Sequence, residues 1–127
     1  MHVILIAQSR DVTRTLQETL LSHGHSAECT EQGESGIQLL KFRSFDAILV
    51  DDELPDISGL DVVKQIRAMR IDTPVLFVSE LRAHSLTDEA RACGRVDFCQ
   101  KPLQSHDMIR RLSRLIPSPH IASQPSA

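Results

Sequence analysis

The sequence predicts an α/β domain: five βα units in a row, folded as one doubly wound parallel sheet with helices on both faces. Three observations carry this. The apolar runs Val3–Ala7, Ala47–Val50 and Val75–Val78 are continuous rather than alternating, as strands covered on both faces must be. Helix-period stripes lie between them, an alternation that calls for parallel strands joined by crossover helices. The chain has 127 residues, 41% apolar and 24% charged, enough for one real core and ordinary for a globular protein.

The elements follow in order. Val3–Ala7 is the first strand. From Asp11 to His23, Val12, Leu16 and Leu20 recur every four residues, and Gly24 stands where a left-handed C-terminal cap belongs. A weaker strand is expected over about Ser26–Thr30, then a helix from Gly33 to Phe42 with Ile37 and Leu40 inward. Ala47–Val50 is the third strand. Ser58 is a fair N-cap for a helix reaching Met69, with Leu60, Val63 and Ile66 on one face. Val75–Val78 is the fourth strand. Leu81–Ala92 should be helical, with a thin stripe of Leu81, Leu86 and Ala90. A fifth strand is expected over about Arg95–Cys99, and a helix from Ser105 to Leu115 carries Met108, Ile109, Leu112 and Leu115 or Ile116. Residues 1–116 form the domain. From Pro117 onward, Pro117, Pro119 and Pro125 among serines read as a disordered tail or linker.

Bulk properties exclude several classes. The net charge of -3, without a basic block, argues against nucleic-acid binding by this domain. No apolar run approaches the ~20 residues that span a bilayer. The opening Met-His-Val-Ile-Leu-Ile-Ala lacks a basic leader and reads as a strand rather than a signal peptide. Cys29, Cys93 and Cys99 are an odd number without metal-type spacing, so reduced thiols in a cytoplasm are expected.

In open α/β sheets, ligands bind beyond the carboxyl ends of the strands. That rule selects Gln8, Ser9, Arg10 and Asp11 after the first strand, and Asp51, Asp52 and Glu53 after the third. It adds Ser79 and Glu80 after the fourth, and Gln100, Lys101 and Pro102 after the fifth. The acids of Asp51-Asp52-Glu53 and Asp56 repel one another and need compensation. A lysine and a hydroxyl facing them across one crevice could hold an anion carried on Asp51.

These residues carry a resemblance. "DAILVDDELPDISGLDVV", "TPVLFVSE" and "DFCQKP" resemble, in order and at family spacing, three segments of the receiver domain of bacterial two-component response regulators. The likeness covers roughly residues 2–116 and implies the flavodoxin-like, CheY-like (βα)5 fold. It implies that Asp51 is the phosphoryl acceptor, Ser79 the hydroxyl that contacts the phosphoryl group, and Phe98 the aromatic switch residue. It makes Lys101 the cation that pairs with Asp51, and gives Leu54-Pro55 and Gly59 the shaping of the acceptor loop. It implies a Mg2+ ion held by the acceptor, an acidic pair after the first strand and the Glu53 carbonyl. It implies a histidine kinase or phosphotransfer protein as partner, and no enzymatic role.

The chain departs from the family at one place above all. The family's "LIVDD" is "LIAQS" here, so Gln8 and Ser9 stand where two carboxylates should be. Neutral oxygens bind Mg2+ far less well. Asp11 is a poor substitute, being better suited to the first turn of its helix. Asp52 replaces a usually apolar residue, and Glu80 a usually small one beside Ser79. The expectation is an atypical receiver acting by protein contact, with weak or no Mg2+-dependent phosphorylation of Asp51. A direct Lys101–Asp51 contact should stand in for the metal, while Asp52, Glu53 and Asp56 could be no more than a solvated loop. The alternative is a conventional receiver switched by phosphoryl transfer and controlling an effector such as a DNA-binding domain in transcription regulation. A hydrolase with an aspartyl-phosphate intermediate would use Glu53 as its second acid, but the chain has no room for a cap domain. Receivers of DNA-binding regulators dimerise through the fourth helix, fifth strand and fifth helix. Asp97 and Arg111 match two positions of that charged set, whereas Thr87 and Glu89 stand where basic residues are usual.

Overall fold

The structure, a computed structural model, describes residues 1–79 and 84–115, with the backbone alone for residues 84–87. Five strands and five helices alternate: β1 His2–Ile6, α1 Arg10–Ser22, β2 Ser26–Thr30, α2 Gly33–Phe42, β3 Ala47–Asp51, α3 Gly59–Ala68, β4 Val75–Ser79, α4 His84–Ala92, β5 Val96–Gln100 and α5 Ser105–Leu115. All neighbouring strands are parallel, in the order β2-β1-β3-β4-β5. The order reverses direction between β1 and β3, which puts the switch point beside the end of β3.

The central strands are buried on both faces, which is why their apolar runs are continuous. On one face, Ile4, Ile6, Ile48, Val50, Val75 and Phe77 pack under Ile37 and Leu40 of α2 and Val62, Val63 and Ile66 of α3. On the other, Val3, Leu5, Leu49, Leu76 and Val78 pack under Leu16 and Leu20 of α1 and Met108 and Leu112 of α5. Each fully buried aliphatic side chain contributes about 1.5–3 kcal/mol. The fold is thus held from both sides of β1, β3 and β4.

Local signals operate as expected at several boundaries. Gly24 adopts φ +81 just past α1, and the Ser58 hydroxyl accepts from the Asp61 N–H at 3.0 Å at the start of α3. Two details differ from the expectation. Val12 is 44% exposed, and the buried residue of the first turn of α1 is Thr13. The Thr13 hydroxyl donates back to the Ser9 carbonyl at 3.0 Å, so a polar side chain is satisfied there without water. β5 begins at Val96 rather than Arg95, because Gly94 and Arg95 both take positive φ in the preceding turn. The expected helix over Leu81–Ala92 is described from His84 to Ala92; residues 80–83, Glu80 among them, and the proposed tail from Pro117 lie outside the described residues.

Candidate functional site

The sheet brings the ends of β1, β3, β4 and β5 to one edge. β3 delivers Asp51 as its last residue, in register with Val78. The chain then stays tied to the sheet: the Asp52 N–H donates to the Val78 carbonyl at 2.9 Å. The turn closes when the Gly59 N–H donates to the Asp52 carbonyl at 3.0 Å. Only glycine fits there, since a Cβ on Gly59 would lie 2.2 Å from the Asp51 carbonyl oxygen. Opposite, β5 leads into Lys101, whose N–H donates to the Ser79 carbonyl at 2.9 Å. The backbone therefore fixes where the lysine side chain starts.

Lys101 Nζ lies 2.7 Å from Asp51 Oδ1, 2.8 Å from Asp52 Oδ1 and 3.6 Å from Glu53 Oε1. One ammonium thus faces three carboxylates. Asp51 and Asp52 side chains are 17% and 10% exposed, and Lys101 26%. Asp51 Oδ1 also accepts from the Glu53 N–H at 3.1 Å. Asp52 Oδ1 is buried and has no aligned hydrogen bond, so among the described residues its compensation is the charge of Lys101 alone. Burial pushes the Asp51 carboxyl above its ordinary range, and Asp52 adds to this; Lys101 and the Glu53 N–H pull it down without cancelling the rise. Burial works against the Lys101 ammonium, but Asp51 and Asp52 outweigh it and hold its pKa above the usual lysine value. Both directions have one source: two half-enclosed acids share one cation.

The remaining expected residues are placed as follows. Ser79 ends β4 and is 6% exposed. Phe98 is half-buried, edge-on to Phe77 with centroids 6.0 Å apart, and the Arg91 guanidinium lies 4.9 Å above its ring. Gln8 is exposed. Ser9 is the N-cap of α1, its hydroxyl accepting from the Val12 N–H at 3.4 Å. Asp11 lies in the first turn of the same helix. Asp97 and Arg111 face each other within the chain, 3.7 Å apart. Arg111 also donates to the Phe98 carbonyl at 2.7 Å and to Asp107 at 3.2 Å. Arg110 and Arg111 together hold the Asp107 carboxyl down at about 2. Glu89 pairs with Lys64 at 3.1 Å, and the side chain of Thr87 lies outside the described residues.

The solvated-loop reading of the other acids needs correction. Asp52 is enclosed beside Lys101, whereas Glu53, with its side chain 72% exposed, and Asp56 are open to solvent. Asp56 caps a helix from a different loop: its carboxylate oxygens accept from the Gly33 and Glu34 N–H groups of α2, each at 2.9 Å. Burial pushes its carboxyl up, but the N–H bonds together outweigh that and hold it below the ordinary value. The signal available was an absence, since Gln32 at the N-cap of α2 makes no side-chain cap bond.

The donor set fits a Mg2+ ion poorly. Hard oxygen ligands in strict octahedral geometry are needed. Ser9 is committed to its helix, Gln8 is neutral, and the carboxylates converge on an ammonium. Among the described residues, no group of three or more His, Cys, Asp or Glu side chains is arranged to hold a metal ion. The three cysteines are free, and no described helix is long and apolar enough to cross a membrane. Chemically, the site presents a carboxylate oxygen beside a fixed cation, an arrangement able to hold an anion at Asp51 once the acid repulsion is offset.

Comparison with known proteins gives one consistent result. The sequence pattern of the response regulator receiver domain matches residues 3–113. The chain is 33% identical over 116 residues to the cell cycle transcriptional regulator CtrA of Caulobacter vibrioides, covering 91% of this chain and 50% of that protein. It is 30% identical over 118 residues to the cell cycle response regulator CtrA of Brucella ovis, again covering 91% and 50%. The chain therefore spans about half the length of these relatives. Its fold is similar to the Francisella response regulator 1452 receiver domain, with a TM-score of 0.83 at 22% identity over 90% of this chain and 94% of that one. It is equally similar to the Vibrio cholerae chemotaxis protein CheY4, with a TM-score of 0.83 at 22% identity over 91% and 98%.

Proposed function

The chain belongs to the response regulator receiver domain family of two-component signal transduction, and from that premise we propose that it is an atypical receiver, working by protein contact, with weak or no Mg2+-dependent phosphorylation of Asp51. The observation that supports this reading is the second acid at the Lys101 seat: Nζ lies 2.8 Å from Asp52, at a position usually apolar in the family, as well as 2.7 Å from Asp51. The ammonium supplies compensation that a divalent ion would otherwise supply. Gln8 and Ser9 give no carboxylate to draw such an ion in. Asp52 adds negative charge beside the acceptor, which repels an anionic phosphodonor.

The role carried by each residue follows. Asp51 is the acceptor position, Lys101 its cation, and Ser79 and Phe98 the positions through which a change at Asp51 would reach β4, β5 and α4. The contact face is α4, β5 and α5, where Asp97, Arg111 and Asp107 already form a pre-arranged charged cluster. Its partners are a histidine kinase or phosphotransfer protein and, through this face, a second copy of the chain. The name of the Caulobacter relative, a transcriptional regulator, supports transcription control as the output. The test is labelling by acetyl phosphate, read as intact mass with and without Mg2+. The expected result is little or no phosphoryl adduct in the native chain under either condition. Stoichiometric labelling that requires Mg2+ and vanishes in Asp51→Asn would establish the conventional receiver instead. Gln8→Asp with Ser9→Asp should restore labelling, and Asp keeps the helix cap at position 9.

A further inference from the structure

Beside the acid cluster, the structure holds a cavity of about 690 Å³. It opens between the first turn of α1 and the loop from β5 to α5. Val12, Leu16, Leu49, Val78 and Leu103 line its body, and Ser9, Asp51, Gln100 and Lys101 its polar side. Its size falls within the roughly 300–1,000 Å³ of small-molecule sites, as does the pattern of apolar walls with a few converging polar groups.

The exposure of Val12 belongs to this feature. Helical spacing puts Val12 in the stripe with Leu16 and Leu20, yet it is 44% exposed at the cavity while Leu16 is 2% exposed. The apolar stripe of α1 therefore continues into space that no described side chain fills. The charge at the polar side is lopsided. Asp51 is part of the lining, and Asp52 and Glu53 stand behind it, against Lys101 as the one ammonium there among the described residues. An anionic head would meet a net excess of carboxylate, and a cationic head would relieve it.

We propose that this cavity binds a small amphipathic ligand with an apolar body and a protonated amine head. The body lies against Val12, Leu49 and Val78, and the amine donates to the Asp51 carboxylate. This goes beyond the reading of Asp51 as an acceptor position and does not depend on it. The ligand would act where α1 meets the β5–α5 loop, and it would compete with Lys101 for Asp51.

The test is an NMR titration of the whole chain, observing the methyl groups of Leu16, Leu49 and Val78. Phenethylamine is the probe, with phenethyl alcohol and phenylpropanoate as neutral and anionic counterparts. Saturable shifts at these methyls are expected with the amine, with phenylpropanoate weaker by about tenfold or more. Val12→Trp should fill the mouth and abolish binding of all three, and the exposure of Val12 lets the fold tolerate it. Asp51→Asn should weaken the amine by about tenfold and leave the alcohol unchanged. Absence of saturable shifts, or equal binding of amine and carboxylate, overturns the proposal. So does binding that appears only when residues 117–127 are removed, which would make this chain's own tail the occupant.

Discussion

Replacing Lys101 with methionine removes the one cation that, among the described residues, faces Asp51, Asp52 and Glu53, while keeping the length of the side chain. At 2.7 Å and an effective dielectric of 20, the attraction to Asp51 alone is about 6 kcal/mol before desolvation. Most of that is offset by the cost of bringing both groups partly out of water. Breaking a buried pair costs about 3–5 kcal/mol, and an exposed one about 0–1. With Lys101 26% and Asp51 17% exposed, the loss should fall between, at about 2 kcal/mol. A ceiling exists, because an orphaned aspartate can take up a proton instead. From an ordinary value of about 3.9 to neutral pH, that costs about 4 kcal/mol. Asp51→Asn should lose less than Lys101→Met, or gain. It keeps an oxygen to accept from the Glu53 N–H at 3.1 Å, and it removes the repulsion with Asp52. Denaturant melts of the three proteins at pH 7, with unchanged m-values, measure the order. If Asp51→Asn is the more damaging change, carboxylate repulsion does not govern the site, and Asp51 serves mainly to anchor the loop.

Four further outcomes follow from the structure. Because the folded pKa of Asp51 is raised, its folded state binds the proton more tightly, so stability should rise as pH falls from neutrality through that pKa. The slope should be absent in Asp51→Asn, as thermal melts across the acid range would show. Asp107 has the opposite sign: its contribution is present above 3.8 and is lost as pH falls toward about 2. Asp56→Ala removes both bonds to the start of α2 and should cost about 1–2 kcal/mol in denaturant melts, with Asp56→Asn recovering part of it. Gly59→Ala forces a Cβ against backbone and should cost about 3 kcal/mol, whereas Gly36→Ala meets the Ile6 side chain rather than backbone and should cost less.

Much of this fold was legible because its signals are local. Continuous apolar runs located β1, β3 and β4, and glycine or serine at the helix ends placed Gly24 and Ser58 within a residue. The contact between Lys101 and Asp51 was legible because both follow directly from strand ends that the topology brings together. What escaped was long-range. Asp56 caps a helix 22 residues before it in the chain, and no periodicity encodes that. Asp52 looked like loop because acidic residues usually are; the backbone bond of its N–H to Val78 turns it inward. Val12 fitted its stripe, but helical spacing states which residues share a face and not whether anything covers them.

The central claim is that Lys101, rather than a divalent ion, compensates the acids around Asp51. A Mg2+ titration followed by amide shifts of Asp51, Asp52 and Glu53 tests it most directly. The account predicts no saturation in the low millimolar range for the native chain, and saturable binding once Gln8→Asp and Ser9→Asp are introduced. Saturable sub-millimolar binding by the native chain, lost on Asp51→Asn, would contradict it.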